Sequence, residues 1–339
     1  MAIRFGVGIP TCREGTAYPV PYVRPNEFPT LARRAEELGY YSLWANDHFT
    51  TPHLIQTTQD QPPNFYEPLI TYASLANVTR RIRFVLSVIV MPQREPVLLA
   101  KQIATLDALT GGRVILGVGI GAYREEFEAV HPELKGANRG QMMEEGVQAL
   151  RELFGRRRAS FEGKYVRFGE IELAPKPVQQ PFPIYVNAHG ATGVRRVGRI
   201  GDGWIVAGMP AEALGKAKRE IAAAAEATGR VPARISLNYQ IWMSSGSDKS
   251  EAEAKLRRSQ HFRRMVAGHP EHSEEAVLAG YRTGNLLGSP DDVIEQIRQF
   301  ERAGVTHMGL VFVGDAMDEL VADMELFAKR VMPAFEPPD

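Results

Sequence analysis

Residues 95–127 read EPVLLAKQIATLDALTGGRVILGVGIGAYREEF. Leu99, Ile103, Leu106 and Leu109 recur at three- and four-residue spacing, which predicts a helix with one apolar face. Pro96 sits in the first turn, where a missing N–H costs nothing, and Gly111-Gly112 supply the stop. The continuous apolar run Arg113–Val118 then reads as a strand buried on both faces, not as an alternating half-buried one. A helix, a glycine turn and a fully buried strand form one repeat of a parallel α/β protein.

The same unit recurs in both directions. Candidate strands are Ile3–Ile9, Tyr41–Ala45, Ile82–Val90, Arg113–Val118, Pro183–Asn187, Trp204–Ala207, Arg234–Trp242 and His307–Val313. Amphipathic stretches lie between them, among them Phe28, Leu31, Ala35 and Leu38 before Gly39, and Leu320, Met324, Phe327 and Val331 near the end. Eight strands, each followed by a helix, predict a (β/α)8 TIM barrel, because doubly wound open sheets usually stop at fewer strands. Three stretches exceed the minimal repeat and read as insertions after strands two, four and seven: Asn46–Tyr66, Phe161–Lys176 (short strands) and Ser244–Leu287 (two polar helices). No repeat, low-complexity tract or linker-like break divides the chain, so residues 1–339 are expected to form a single domain.

Forty basic and forty acidic residues give a formal net charge of zero, which removes the field that would draw in nucleic acid or an anionic membrane. One cysteine, Cys12, excludes an internal disulfide and multi-cysteine metal sites. The N-terminal MAIRFGVGIP lacks a signal-peptide pattern, and no apolar run reaches membrane-spanning length, so a cytoplasmic protein is expected.

Barrels of this type build their sites where the strands end. Asp47-His48 follow strand two, and a carboxylate beside an imidazole suits proton transfer near neutral pH. Ser87 to Pro92 close strand three with small and apolar residues that suit the flat face of a ring. Gly117, Gly119 and Gly121 close strand four and would let a ligand approach the backbone. This glycine pattern also resembles a dinucleotide fingerprint, but no acidic residue closes a second strand about 20 positions on, so the Rossmann reading fails. After strand five, Ala188 to Thr192 lead directly into a helix, whose first N–H groups suit a phosphate. His53, His131, His261 and His307 stand alone, His269 and His272 lack a partner set, and no metal site is expected. No nucleophile elbow, Walker loop, HExxH pair or kinase signature occurs.

RFGVGIP, AEELGYYSLWANDHF, residues 95–127 quoted above, PKPVQQPFPIYVNAHGATGVRRVGRIGDGW and GSPDDVIEQIRQFERAGVTHMGLVF occur in that order. Together they resemble the bacterial luciferase-like flavin- and deazaflavin-dependent oxidoreductases. The resemblance implies a (β/α)8 barrel, commonly dimeric, that holds reduced FMN or the deazaflavin coenzyme F420 in its mouth. It also implies a non-proline cis peptide at Ser87, Val88 and Ile89 behind the ring, Gly121 and Ala122 at the ring border, and His189, Gly190, Ala191 and Thr192 around the phosphate. Asp47 and His48 match a pair facing the reacting ring edge in deazaflavin-linked members. The deazaflavin-dependent sugar-phosphate dehydrogenases carry Glu where Ala122 stands and Trp where Pro52 stands, which argues against that substrate here.

The main functional expectation is therefore a two-component monooxygenase acting on a small organic substrate. It would use reduced FMN from a separate flavin reductase, with Phe49, Phe65 and Tyr66 closing a dry pocket. The alternative is deazaflavin-dependent hydride transfer, towards which Asp47-His48 points. A non-catalytic flavin-binding barrel is the third reading, and a proton-transfer pair argues against it. A homodimer is expected through the apolar stretches Leu69–Leu75 and Leu98–Leu109.

Overall fold

The structure, a computed structural model, describes residues 3–335. Its strands are β1 (Arg4–Gly8), β2 (Ser42–Ala45), β3 (Arg83–Val90), β4 (Val114–Gly119), β5 (Arg158–Glu162), β6 (Arg167–Glu172), β7 (Ile184–Asn187), β8 (Gly203–Ala207), β9 (Ser236–Ser245), β10 (Leu286–Gly288) and β11 (His307–Phe312). Eight of them, in the order β11-β1-β2-β3-β4-β7-β8-β9, form a parallel sheet that closes through β9 pairing with both β8 and β11. The chain is a closed (β/α)8 barrel, and the predicted strands agree with the observed ones to within a few residues.

The helices are α1 (Phe28–Glu37), α2 (His53–Thr58), α3 (Pro68–Leu75), α4 (Pro96–Thr110), α5 (Arg124–Val130), α6 (Arg139–Gly155), α7 (Gly190–Ile200), α8 (Ala211–Glu226), α9 (Lys249–Arg258), α10 (Gln260–Gly268), α11 (Glu274–Gly284), α12 (Pro290–Arg302) and α13 (Met317–Arg330). In α4 the Glu95 carboxylate accepts from the Val97 and Leu98 amides, Pro96 follows, and Gly111 ends the helix in the left-handed conformation. No described helix is long and apolar enough to cross a membrane.

The insertions differ from expectation in content. Residues 46–66 contain the short α2. The second insertion is an antiparallel hairpin of β5 and β6, which starts at Arg158, ahead of the expected boundary. The third holds three helices, α9 to α11, plus β10, which pairs in parallel with the last residues of β9. Only three residues long, β10 falls below the length at which an apolar run is separable from a helix end.

Two apolar layers hold the barrel. Outside the strands, residues such as Val7, Leu43, Phe84, Leu116 and Val186 pack against the helices. Inside, Trp44, Val85, Ile115 and Ile205 plug the lumen. His307 belongs to that plug: its Nε2 lies 2.7 Å from Ser42 Oγ, and Trp44 Nε1 donates to the same hydroxyl. Burial pushes its pKa down to about 3, with Arg4 and Arg83 adding repulsion, so the ring is neutral floor structure. Cavities lie on both sides of this plug, and the one at the strands' C-terminal ends is where barrels of this type build their sites.

Candidate active site

A cavity of about 540 Å³ occupies the barrel mouth. Asp47, His48, Ser87, Val88, Gly121, Ala122, His189 and Thr192 all line it. Four separate strand ends thus bring eight of the eleven sequence-derived positions around one space. Ile89 does not belong there, because it is fully buried and packs in the barrel–helix layer with Phe84 and Leu86, the irregularity between Leu86 and Ile89 having reversed the strand's alternation. Gly190 and Ala191 are exposed on the first turn of α7 and form no part of the cavity wall.

His48 Nδ1 lies 3.0 Å from Glu126 Oε2, on the first turn of α5. The other carboxylate oxygen accepts from the Phe49 and Thr50 amides at 2.7 and 3.2 Å. Burial favours the neutral acid, but the contacts from His48, Thr50 and Phe49 outweigh it and hold the Glu126 pKa below the usual carboxylate range. An ionised carboxylate only accepts, so Nδ1 is the donor and the neutral ring keeps its lone pair on Nε2. Nε2 has no partner among the described residues. The Phe65 and Tyr123 rings flank the imidazole at centroid distances of 5.3 and 6.0 Å.

Asp47 does not support His48, contrary to expectation. Its carboxylate takes a two-pronged grip from Arg94, at 2.7 Å to Oδ1 and 3.1 Å to Oδ2, and a third bond from the Val90 amide. Both side chains are nearly inaccessible, at 1% for Asp47 and 9% for Arg94. This pair ties the end of β2 to the end of β3, and its role is to hold the loop that presents His48. Adjacent residues leaving a strand point in different directions, so proximity in sequence did not make a pair.

The peptide between Ser87 and Val88 is cis, as the resemblance implied. The β3–β4 register shifts at this point, between Leu86 and Ile89. The glycines of β4 serve this irregularity rather than a ligand. A Cβ on Gly119 would lie 2.6 Å from a Val88 methyl, and one on Gly117 would lie 2.3 Å from the Leu86 carbonyl. Arg139 braces the loop beyond β4 by donating to the Ile120 and Gly121 carbonyls.

At the opposite wall, α7 begins without a side-chain cap at His189. Gly190 has φ +66° with open space around it, so conformation rather than crowding calls for glycine. Arg196, one turn along, also lines the cavity, and its Nε is held by Glu144. Uncapped amides and a guanidinium facing one space suit an anion.

Glu126, Arg94, Arg139, Arg196 and Gln240 were missed by sequence reasoning. Glu126 lies 78 positions from His48 and Arg94 lies 47 from Asp47, and no local pattern marks such pairs. The aromatic loop is also dispersed: Phe65 reaches His48, Phe49 lies 41% exposed against Arg94, and Tyr66 packs edge-on against Phe28. His269 and His272 do have a neighbour, since both approach Glu271, with donor atoms of all three within 4.8 Å on an exposed turn.

The luciferase-like monooxygenase family model matches residues 3–307. An F420-dependent glucose-6-phosphate dehydrogenase of Kineococcus radiotolerans is 32% identical over 333 residues, 92% of this chain and 94% of that protein. An F420-dependent hydroxymycolic acid dehydrogenase of Mycobacterium tuberculosis is 33% identical over 68% of this chain, and the match spans 62% of that protein's length. The oxygenating constituent of 3,6-diketocamphane monooxygenase from Pseudomonas putida, solved with FMN, shares the fold with a TM-score of 0.76 over 100% of both chains at 22% identity. The chain belongs to the luciferase-like monooxygenase family. Family and relatives place it among oxidoreductases, and the two relatives named are F420-dependent rather than FMN-dependent enzymes.

Proposed function

We propose that this chain is a deazaflavin-dependent oxidoreductase that interconverts an alcohol and its carbonyl compound by hydride transfer. The observation that carries this reading is His48: its Nδ1 is committed to Glu126 and its Nε2 is left free at the cavity. The cavity suits the cofactor on its own evidence. Val88, Val90, Ile120 and Ala122 offer an apolar surface for a ring, while the uncapped α7 terminus and Arg196 offer an anion site. When bound, a deazaflavin supplies two-electron hydride chemistry.

The protein supplies the proton. As a hydride leaves the carbinol carbon, the hydroxyl proton passes to His48 Nε2, and the imidazolium so formed is stabilised by ionised Glu126. In the reverse direction the same nitrogen returns the proton to the carbonyl oxygen. Asp47 and Arg94 hold the loop in place, acting as positioning residues. Ala122, standing where the sugar-phosphate dehydrogenases are expected to carry Glu, argues for a substrate other than glucose 6-phosphate.

Anaerobic spectral titration tests the assignment. Tight binding of the deazaflavin, with FMN at least ten-fold weaker, is expected. The reverse order would restore the FMN reading and with it the need for a separate flavin reductase. We also propose a cytoplasmic homodimer, supported by Ile70, Leu98 and Leu109, which are 58–68% exposed on the packed pair α3 and α4.

A further inference from the structure

Beside the cavity, the loop after β1 buries Arg13 to 6% exposure. Its guanidinium has no ion pair or hydrogen bond among the described residues, and Nε is wholly buried without a partner. Burial lowers its pKa, and the groups that act against this, Tyr18 and Cys12, include no carboxylate. Neighbouring Glu14 is consumed by the Tyr22, Val23 and Asn64 amides. Arg13 lies 5.1 Å from the Trp242 ring, which stacks on His261 at 4.0 Å and 18°. His261 is 7% exposed, its Nε2 has no partner, and burial, with Arg264 and Arg13 adding repulsion, pushes its pKa down to about 3.

Arg264, on α10, donates to the Tyr123 hydroxyl but leaves Nε buried and unpaired. Gln240, two residues before Trp242 on the same face of β9, lines the cavity and leaves its Nε2 unpaired. These orphaned groups are donors, or in His261 a nitrogen that becomes one by tautomer choice. A buried charge with no counter-charge is unfavourable, and buried donors normally find acceptors. A group able to satisfy them would be acceptor-rich and negatively charged.

We propose that Arg13, Arg264, His261 and Gln240 form an oxyanion subsite, so that the substrate is an alcohol or carbonyl compound bearing a carboxylate or phosphate. This deepens the hydride-transfer reading and rests on it only in making the anion a handle on the substrate. Trp242 forms one wall of the subsite, and α10 places it under the insertion that follows β9.

Cofactor-free protein tests the subsite with sodium phosphate and sodium acetate, each against sodium chloride at equal ionic strength. Trp44 and Trp204 are sealed at 0% and 1% exposure, so fluorescence changes report on half-buried Trp242. At least one oxyanion should alter that emission and raise Tm, and Arg13→Met should weaken the apparent affinity about ten-fold or more. Arg13→Met should also raise Tm in chloride, because it removes an uncompensated buried charge, while Arg13→Lys should not. Thr192→Asp, which blocks the anion site on α7, should leave the Arg13-dependent effect intact. The proposal is overturned if neither oxyanion acts beyond chloride, if Arg13→Met lowers Tm or fails to fold, or if the effect survives Arg13→Met and vanishes in Thr192→Asp. None of these readouts involves the redox cofactor, so a wrong cofactor assignment would leave them unchanged.

Discussion

Replacing His48 by Ala removes the imidazole whose Nε2 is left free at the cavity, and turnover should fall by roughly 10² to 10⁴-fold with cofactor affinity nearly intact. Near-wild-type kcat in that variant would reassign the residue to loop structure. Glu126→Gln probes the same axis differently. An amide can donate to Nδ1, which would move the ring proton to Nε2 and leave the neutral ring unable to accept there. Alcohol oxidation should therefore drop by about ten-fold or more while the fold persists. The lowered pKa of Glu126 has its own signature: its stabilisation is present above the unfolded value of 4.5 and is lost as pH falls through the folded value. Denaturant midpoints of wild type and Glu126→Gln should accordingly converge as the pH is lowered from neutrality to well below 4.5.

The Asp47–Arg94 pair calls for a different assay. Arg94→Met strands a carboxylate that is 1% exposed, and a cost of about 3–5 kcal/mol in unfolding free energy is expected. Differential unfolding in urea measures it. A loss under about 1 kcal/mol would mean the pair is no more than a surface contact.

At the scale of elements, α7 offers a test with a built-in control. An acid at a helix N-terminus ordinarily stabilises the helix, yet Thr192→Asp should weaken cofactor binding strongly by opposing its phosphate. Reduced affinity with unchanged or higher Tm supports the phosphate site, whereas unchanged affinity removes it. Elements are also where the sequence was most informative. The α4–β4 unit was readable because period, cap and stop signals agree within it. Helix count in the third insertion was not readable, since α9, α10 and α11 are short, polar and separated by only a few residues. Site positions were found where the barrel dictates them, at strand ends. Their partners were not, because Glu126 and Arg94 reach the site from other segments and carry no local mark.

At the scale of the whole molecule, the exposed Ile70, Leu98 and Leu109 make the clearest prediction. Light scattering should give twice the 37.6 kDa of the chain. Ile70→Asp combined with Leu98→Asp should return it to one chain mass without unfolding it, because neither side chain is in the core. A monomeric wild type at micromolar concentration would dismiss the dimer.

The overrun of β9 links regions otherwise treated separately. Its lower half closes the barrel against β8 and β11, its middle carries Gln240 and Trp242, and its last residues, Met243 to Ser245, pair with β10. The insertion over the mouth is thus stitched back onto the same strand it departed from. Amide exchange reports such stitching: the β10 hydrogens should exchange as slowly as those of the barrel staves, and far more slowly than those in the exposed turn at residues 269–272. Any breathing that admits substrate then falls to the three helices between the stitches, and the strand beneath them stays still.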